Sequence, residues 1–206
     1  MKVSIFGLGY VGCVSAACFA KEGHDVVGVD VNPTKVEIVN RGESPIVEAG
    51  MSELIKAMVG EGRLRATTDT HEAIDASDLS LVCVGTPSNA NGSLDLNYVE
   101  RVCQEIGAAL KQKQARHIVV IRSTMLPGTI ESVVVTALEK KSGKRSGHDF
   151  GICINPEFLR EGTSLKDFYA SPFTLIGGNP RRWRSSASRA MTSSPTPLMR
   201  DAVLVK

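Results

Sequence analysis

The chain has 206 residues, 42% hydrophobic and 22% charged, which suits one α/β domain with the start of a second. Its net charge of +2 comes from one stretch: residues 181–200 hold five arginines and no acid, leaving 19 basic against 22 acidic residues elsewhere. That mildly acidic remainder carries no electrostatic footprint for nucleic acid, and no apolar run approaches the roughly 20 residues of a membrane span.

In chain order, "KVSIF" (2–6) is a short β-rich run. "VGCVSAACFAKE" (11–22) is small and apolar and suits a tightly packed helix, with Gly23 as its stop. "HDVVGVD" (24–30) predicts a second strand, and "PTKVEIVNRG" (33–42) a helix with Pro at its first position and Gly at its end. "MSELIKAMVGEGRL" (51–64) predicts a further helix. "LSLVCVG" (79–85) and "HIVVIRS" (117–123) are continuous apolar strands, as expected where both sheet faces are covered. Between them, "LNYVERVCQEIGAALKQ" (96–112) places apolar residues at 96, 99, 102, 106 and 110, a helical period. "GTIESVVVTALEKK" (128–141) predicts a helix, "FGICIN" (150–155) a strand and "FTLIGG" (173–178) a last short strand. There is no internal repeat. Residues 1–180 thus read as one domain around a parallel sheet with right-handed crossovers, and residues 181–206 as an irregular or disordered Arg/Ser-rich end.

The five cysteines (13, 18, 83, 103, 153) have no paired spacing and sit mostly in apolar runs. They read as buried hydrophobes in a reducing compartment, not as a disulfide frame or a metal site. The four histidines (24, 71, 117, 148) lack ligand spacing, so no metal is expected. The opening "MKVSIFGLG" does not read as a signal peptide, and a cytoplasmic location is expected.

"FGLGYVG" sets Gly7, Gly9 and Gly12 in G-x-G-x-x-G spacing, after a strand and before a helix, with Asp30 ending the next strand. Gly7 permits the tight turn, Gly9 leaves room for a pyrophosphate, and Gly12 lets helix and strand approach. The helix N-terminus offers free N–H groups to the phosphates. Asp30 can accept from the ribose hydroxyls, and an acid there repels a 2′-phosphate, which favours NAD over NADP. The competing account is an α/β domain with a merely structural glycine turn. The fold expected from all this is a Rossmann-type, doubly wound, mostly parallel sheet.

Ligands gather at the carboxyl ends of strands in such sheets, and three strands here end in "VGTPS" (84–88), "RSTMLPGT" (122–129) and "NPEFLREGT" (155–163). Each alone could be a turn or helix cap. Thr86 and Thr124 can donate to a cofactor or a bound water. Glu157 and Glu161, spaced one helical turn apart and flanking Arg160, suit a general base beside a ligand-binding acid, or a solvated charged turn.

At these residues the chain resembles the UDP-glucose/GDP-mannose dehydrogenases. "IFGLGYVG", "VDVNPTKVEIVNRGESPIVEAG", "CVGTPS", "DLNYVE", "RSTMLPGT" and "NPEFLREGT" occur in the family's order over residues 1–180. Such enzymes oxidise the sugar C6 alcohol to a carboxylate with two NAD, and "ESPIVEAG" and "GTPSNANGSLDL" look closer to the GDP-mannose branch, which feeds uronic-acid polysaccharides such as alginate. The resemblance implies Tyr10 and Val11 on the pyrophosphate loop, Asp30 on the ribose and Lys35 near the adenosine end. It implies Thr86 and Thr124 on NAD, with Thr124 also near the catalytic water. Glu157 looks like the acid/base residue of the hydrolytic step, Glu161 like a nucleotide-sugar contact, and Leu159 and Arg160 lie along the same substrate segment. The family's cysteine nucleophile, in a "GGSC-x-PKD"-type motif, and its "KY-x-x-N" helix do not occur here. The central dimerising helix and the sugar-nucleotide domain are missing too, so the expectation is a chain truncated before them and inactive by itself, although the family forms homo-oligomers. The composition of residues 181–197 is what out-of-frame reading of a GC-rich gene tends to give, and "PLMRDAVLVK" then resembles the family again; a genuinely disordered basic tail is the alternative. Two rival functions remain: a β-hydroxyacid dehydrogenase fragment, which has no place for "NPEFLREGT", and a non-catalytic NAD-binding remnant or docking partner.

Overall fold

The computed structural model describes residues 1–170 and 174–178. The Arg/Ser-rich stretch 181–206, with its expected disorder and frameshift, and Phe173 lie outside the described residues. The elements run β1 (Lys2–Phe6), α1 (Tyr10–Lys21), β2 (Asp25–Val29), α2 (Pro33–Asn40), α3 (Met51–Gly60), β3 (Leu64–Thr67), α4 (Thr70–Asp75) and β4 (Leu79–Val82). Then come α5 (Asn97–Leu110), β5 (His117–Ile121), a π-helical segment Ile130–Val135 that continues into α6 (Thr136–Ser142), β6 (Phe150–Ile154), α7 (Ser164–Tyr169) and β7 (Gly177–Gly178).

The sheet order is β3-β2-β1-β4-β5-β6-β7, with every pairing parallel except the short antiparallel β6–β7 edge. This is the Rossmann-type doubly wound sheet expected from the alternation of strands and helices. Strand residues alternate between two cores, one per face. Val3, Ile5, Leu79, Leu81, Ile118 and Val120 pack against α1 and α3. Phe6, Val82, Val119 and Ile121 pack against α5 and α6 through Val99, Ile106 and Leu138. All five cysteines are buried and free, and burial pushes each thiol up to about 12.

Several boundaries follow local chemistry. The Asn32 side chain accepts from Thr34 N–H at 3.0 Å to start α2, and the Asp69 side chain accepts from His71 and Glu72 N–H to start α4. The helix expected over 51–64 is shorter. It ends at Gly60, Gly62 turns the chain at φ +70°, and Leu64 opens β3, whose four residues give too little alternation to register as a strand. The short helices α4 and α7 also escaped the periodic reading, at six residues each.

Beneath α5, buried Ser4, Ser77, Ser80 and His117 form one hydrogen-bonded chain: Ser77 to Ser4 at 2.9 Å, Ser4 with Ser80 at 2.7 Å, and Ser80 with His117 Nε2 at 2.7 Å. Burial pushes the His117 imidazole down to about 3, so it is neutral in the folded chain and protonates only on unfolding as pH drops below 6.5. Its contribution is complete above that value and is lost as the pH falls toward 3. The free energy of unfolding is expected to fall between pH 6 and 5 by up to about 1.4 kcal/mol per pH unit from this one group. His117→Gln should flatten that slope; an unchanged slope would assign it to other residues.

Candidate functional site

The carboxyl ends of the parallel strands are laced together by backbone hydrogen bonds just past the sheet. Gly7 N–H donates to Val29 C=O at 2.8 Å, Cys83 to Phe6 at 2.8 Å, Arg122 to Val82 at 2.9 Å and Asn155 to Ile121 at 2.8 Å. The chain order reverses between β1 and β4, so the crevice at their carboxyl ends is the ligand position that this topology creates.

Gly7 stands at φ +93°, and a Cβ there would lie 3.0 Å from Val84 Cγ1 and 3.2 Å from the Cys83 carbonyl oxygen. A Cβ on Gly12 would fall 1.7 Å from the Gly7 carbonyl oxygen. Gly12 is therefore needed for the approach of α1 to the loop itself, more than to the strand. A Cβ on Gly9 would meet nothing within 4 Å. Gly9 caps α1 with no side-chain hydrogen bond, and the first intrahelical bond runs from Cys13 N–H to Gly9 C=O at 2.9 Å. The N–H groups of Tyr10, Val11 and Gly12 thus lack intrahelical acceptors.

Asp30 is 9% exposed. Its Oδ2 accepts from Leu8 N–H at 2.7 Å, its Oδ1 from Asn32 N–H at 2.9 Å, and Lys35 Nζ lies 3.6 Å away. The carboxylate thus braces the glycine loop, with lone pairs left for further donors.

Across the crevice, Thr86 Oγ1 donates to the Thr124 carbonyl at 2.9 Å, which brings the two predicted threonines together. Ser123 Oγ donates to Val84 C=O at 2.6 Å and ties the same two loops. Arg122 Nη1 donates to Asn155 Oδ1 at 3.2 Å, while Asn155 Nδ2 donates to Leu175 C=O at 2.9 Å. Burial lowers the Arg122 guanidinium from its ordinary value, and Cys83 and Glu157 oppose that shift.

The segment 155–163 is not helical, which corrects the reading of Glu157 and Glu161 as neighbours on one helix face. The helix α7 starts only at Ser164. Glu157 instead folds back on its own backbone, accepting from Leu159 N–H at 2.6 Å. Leu159 packs against the same core as α1, and Glu161 is exposed in the turn. Arg160 grips Asp167 with two guanidinium bonds of 2.7 and 3.0 Å and adds a backbone N–H at 3.1 Å, holding that carboxyl well below the usual range. Glu48, Ser123, Arg122 and Asn155 were not singled out from the sequence. Glu48 lay within "ESPIVEAG", but nothing local reveals that its carboxylate reaches Tyr10, Gly162 and Ser164.

The open space at Gly9, the helix-terminal N–H groups and the acid closing β2 together fit a dinucleotide such as NAD. Among the described residues, no group of three His, Cys, Asp or Glu could hold a metal ion, and no helix is long and apolar enough to cross a membrane.

Residues 1–191 match the model of the UDP-glucose/GDP-mannose dehydrogenase family, NAD binding domain. The chain is 56% identical over 177 residues to GDP-mannose 6-dehydrogenase of Pseudomonas savastanoi pv. phaseolicola, covering 86% of this chain and 40% of that protein. It is 49% identical over 205 residues to GDP-mannose 6-dehydrogenase of Azotobacter vinelandii, covering 100% and 47%. A crystal structure of a ternary complex of GDP-mannose dehydrogenase from Pseudomonas aeruginosa superposes with TM-score 0.96 at 49% identity, again covering 100% of this chain and 47% of that one. The chain spans less than half the length of these relatives. It belongs to the UDP-glucose/GDP-mannose dehydrogenase family, as that family's NAD-binding domain.

Proposed function

We propose that the chain is the NAD-binding part of a nucleotide-sugar 6-dehydrogenase that oxidises the sugar C6 alcohol to a carboxylate, with GDP-mannose the favoured substrate and UDP-glucose the next. The observation that carries this reading is the set of loops at the switch point: the Gly7–Gly12 turn with Asp30 beside it, the Thr86 and Thr124 loops joined to each other past β4 and β5, and Glu157 just past β6. Bound NAD supplies the hydride acceptor. The N–H groups of Tyr10 and Val11 receive the pyrophosphate, Asp30 the ribose hydroxyls, and Lys35 the adenosine end. Thr86 and Thr124 border the reacting end, where Thr124 orients a water and Glu157 takes its proton. Leu159, Arg160 and Glu161 run along the nucleotide sugar. Since Asp167 occupies the Arg160 guanidinium, Arg160 contributes by shaping that segment.

Calorimetric titration of the 206-residue protein should show saturable NAD binding, and NADP weaker by about ten-fold or more. No NADH should form from GDP-mannose, because the sequence has neither the "KY-x-x-N" motif and sugar-nucleotide domain that the first oxidation would need nor the "GGSC" nucleophile motif for the second. Equal binding of the two cofactors, or none of NAD, would sink the cofactor assignment. NADH production would show that the chain holds a complete site.

A further inference from the structure

The loop between α2 and α3 has no part in the function proposed above, yet one of its side chains gathers three distant segments. Glu48 is partly buried, whereas its neighbour Val47 is fully exposed. Glu48 Oε2 accepts from the Tyr10 hydroxyl and from Gly162 N–H at 2.8 Å, and Oε1 accepts from Ser164 N–H at 3.0 Å. The Tyr10 hydroxyl also lies 3.2 Å from Gly162 N and 3.3 Å from the Arg160 carbonyl oxygen. Tyr10 opens α1 directly after Gly9, and residues 160–164 close the segment that begins at Glu157. Three donors from two remote parts of the chain therefore converge on one carboxylate. No cation pairs with it among the described residues, so backbone and hydroxyl donors do the holding.

We propose that Glu48 is a positioning residue that fastens the 160–164 segment to the Tyr10 end of the glycine loop, so that cofactor occupancy and the order of that segment are linked. The link to cofactor rests on the function proposed above; the joint itself does not. The chemistry demands an acceptor at both oxygens. Glutamine has the same shape, but its NH2 would face a Gly162 or Ser164 N–H, donor against donor. If Glu48 merely filled space, Gln would serve equally well.

The test is hydrogen exchange by mass spectrometry on the full 206-residue chain, wild type against Glu48→Gln and Glu48→Ala. Without ligand, exchange in a peptide spanning 160–166 should speed up about ten-fold in both variants, while the β5 peptide 117–121 stays as protected as in the wild type. With saturating NAD, exchange at 160–166 should slow further in the wild type and not in Glu48→Gln, although residues 8–14 respond in both. Wild-type exchange at 160–166 in Glu48→Gln overturns the joint. Equal NAD-induced protection there in wild type and Glu48→Gln overturns the link. A chain that ignores NAD overturns both the link and the proposed function, while the ligand-free comparison still judges the joint by itself.

Discussion

Gly12→Ala is expected to abolish NAD binding and to lower the thermal midpoint by on the order of 10 °C. The added methyl would start 1.7 Å from the Gly7 carbonyl oxygen, about half a normal contact distance. Flexible side chains can swing away from such an overlap, but this neighbour is backbone. Gly7 cannot yield easily, because its N–H is bonded to Val29 C=O at 2.8 Å and its own flank lies against Val84 and Cys83. Relief must come from moving α1 away from the loop. Nine of the twelve α1 residues are buried, so that motion opens the core on one sheet face. Overpacking of this kind costs about 1–3 kcal/mol or more. It also displaces the helix-terminal N–H groups proposed above to receive the pyrophosphate. Gly9→Ala is the matched control. Its methyl enters open space, so the melting temperature should hold while NAD binding is lost. Calorimetry and a thermal melt on both variants separate packing from ligand access. A Gly12→Ala protein melting within about 2 °C of wild type would refute the steric account.

The second large effect is expected at Asp30. Asp30→Asn should weaken NAD binding about ten- to hundred-fold and narrow the preference over NADP. Asp30 accepts from Leu8 and Asn32 N–H, so an amide there leaves one of those donors facing an NH2 group. In the proposed role the ribose would lose a charged acceptor, and hydrogen bonds to charged groups are worth about 1.5–3 kcal/mol. The charge that repels a 2′-phosphate is gone, while Lys35, now 3.6 Å from the carboxylate, becomes available to one. Titrating wild type and variant with both cofactors measures the ratio directly. An unchanged NAD-to-NADP ratio in Asp30→Asn would mean that charge at this position does not set the preference.

Much of this site was legible from short-range features. The glycine spacing, the strand before it and the acid ending the next strand all lie within residues 2–30, and each is a local requirement of backbone geometry. The polar strand ends at 86, 124 and 157 could be read because parallel strands all finish at the same edge. What misled the reading was also local. The i, i+4 spacing of Glu157 and Glu161 suggested a helix, but Glu157 caps its own following backbone, the chain turns at 161–163, and no helix begins before Ser164. Helix spacing predicts contact only when a helix forms, and nothing apolar repeats across residues 155–163 to make one fold.

The sequence by itself determined the fold class, the strand-to-helix alternation of most elements and the dinucleotide turn, because the period of apolar residues and the steric freedom of glycine act between near neighbours. Only the tertiary structure decided which loops meet. It brought β1 beside β4, joined Thr86 to Thr124, diverted Arg160 onto Asp167, and carried Glu48 to Gly162 and Ser164 across 114 and 116 residues of chain. The Glu48 bonds join one side chain to backbone N–H groups that every residue but proline possesses, and the Thr86 bond ends on a backbone carbonyl that every residue possesses, so they leave no pattern in the order of amino acids and exist only once the sheet has set the distances.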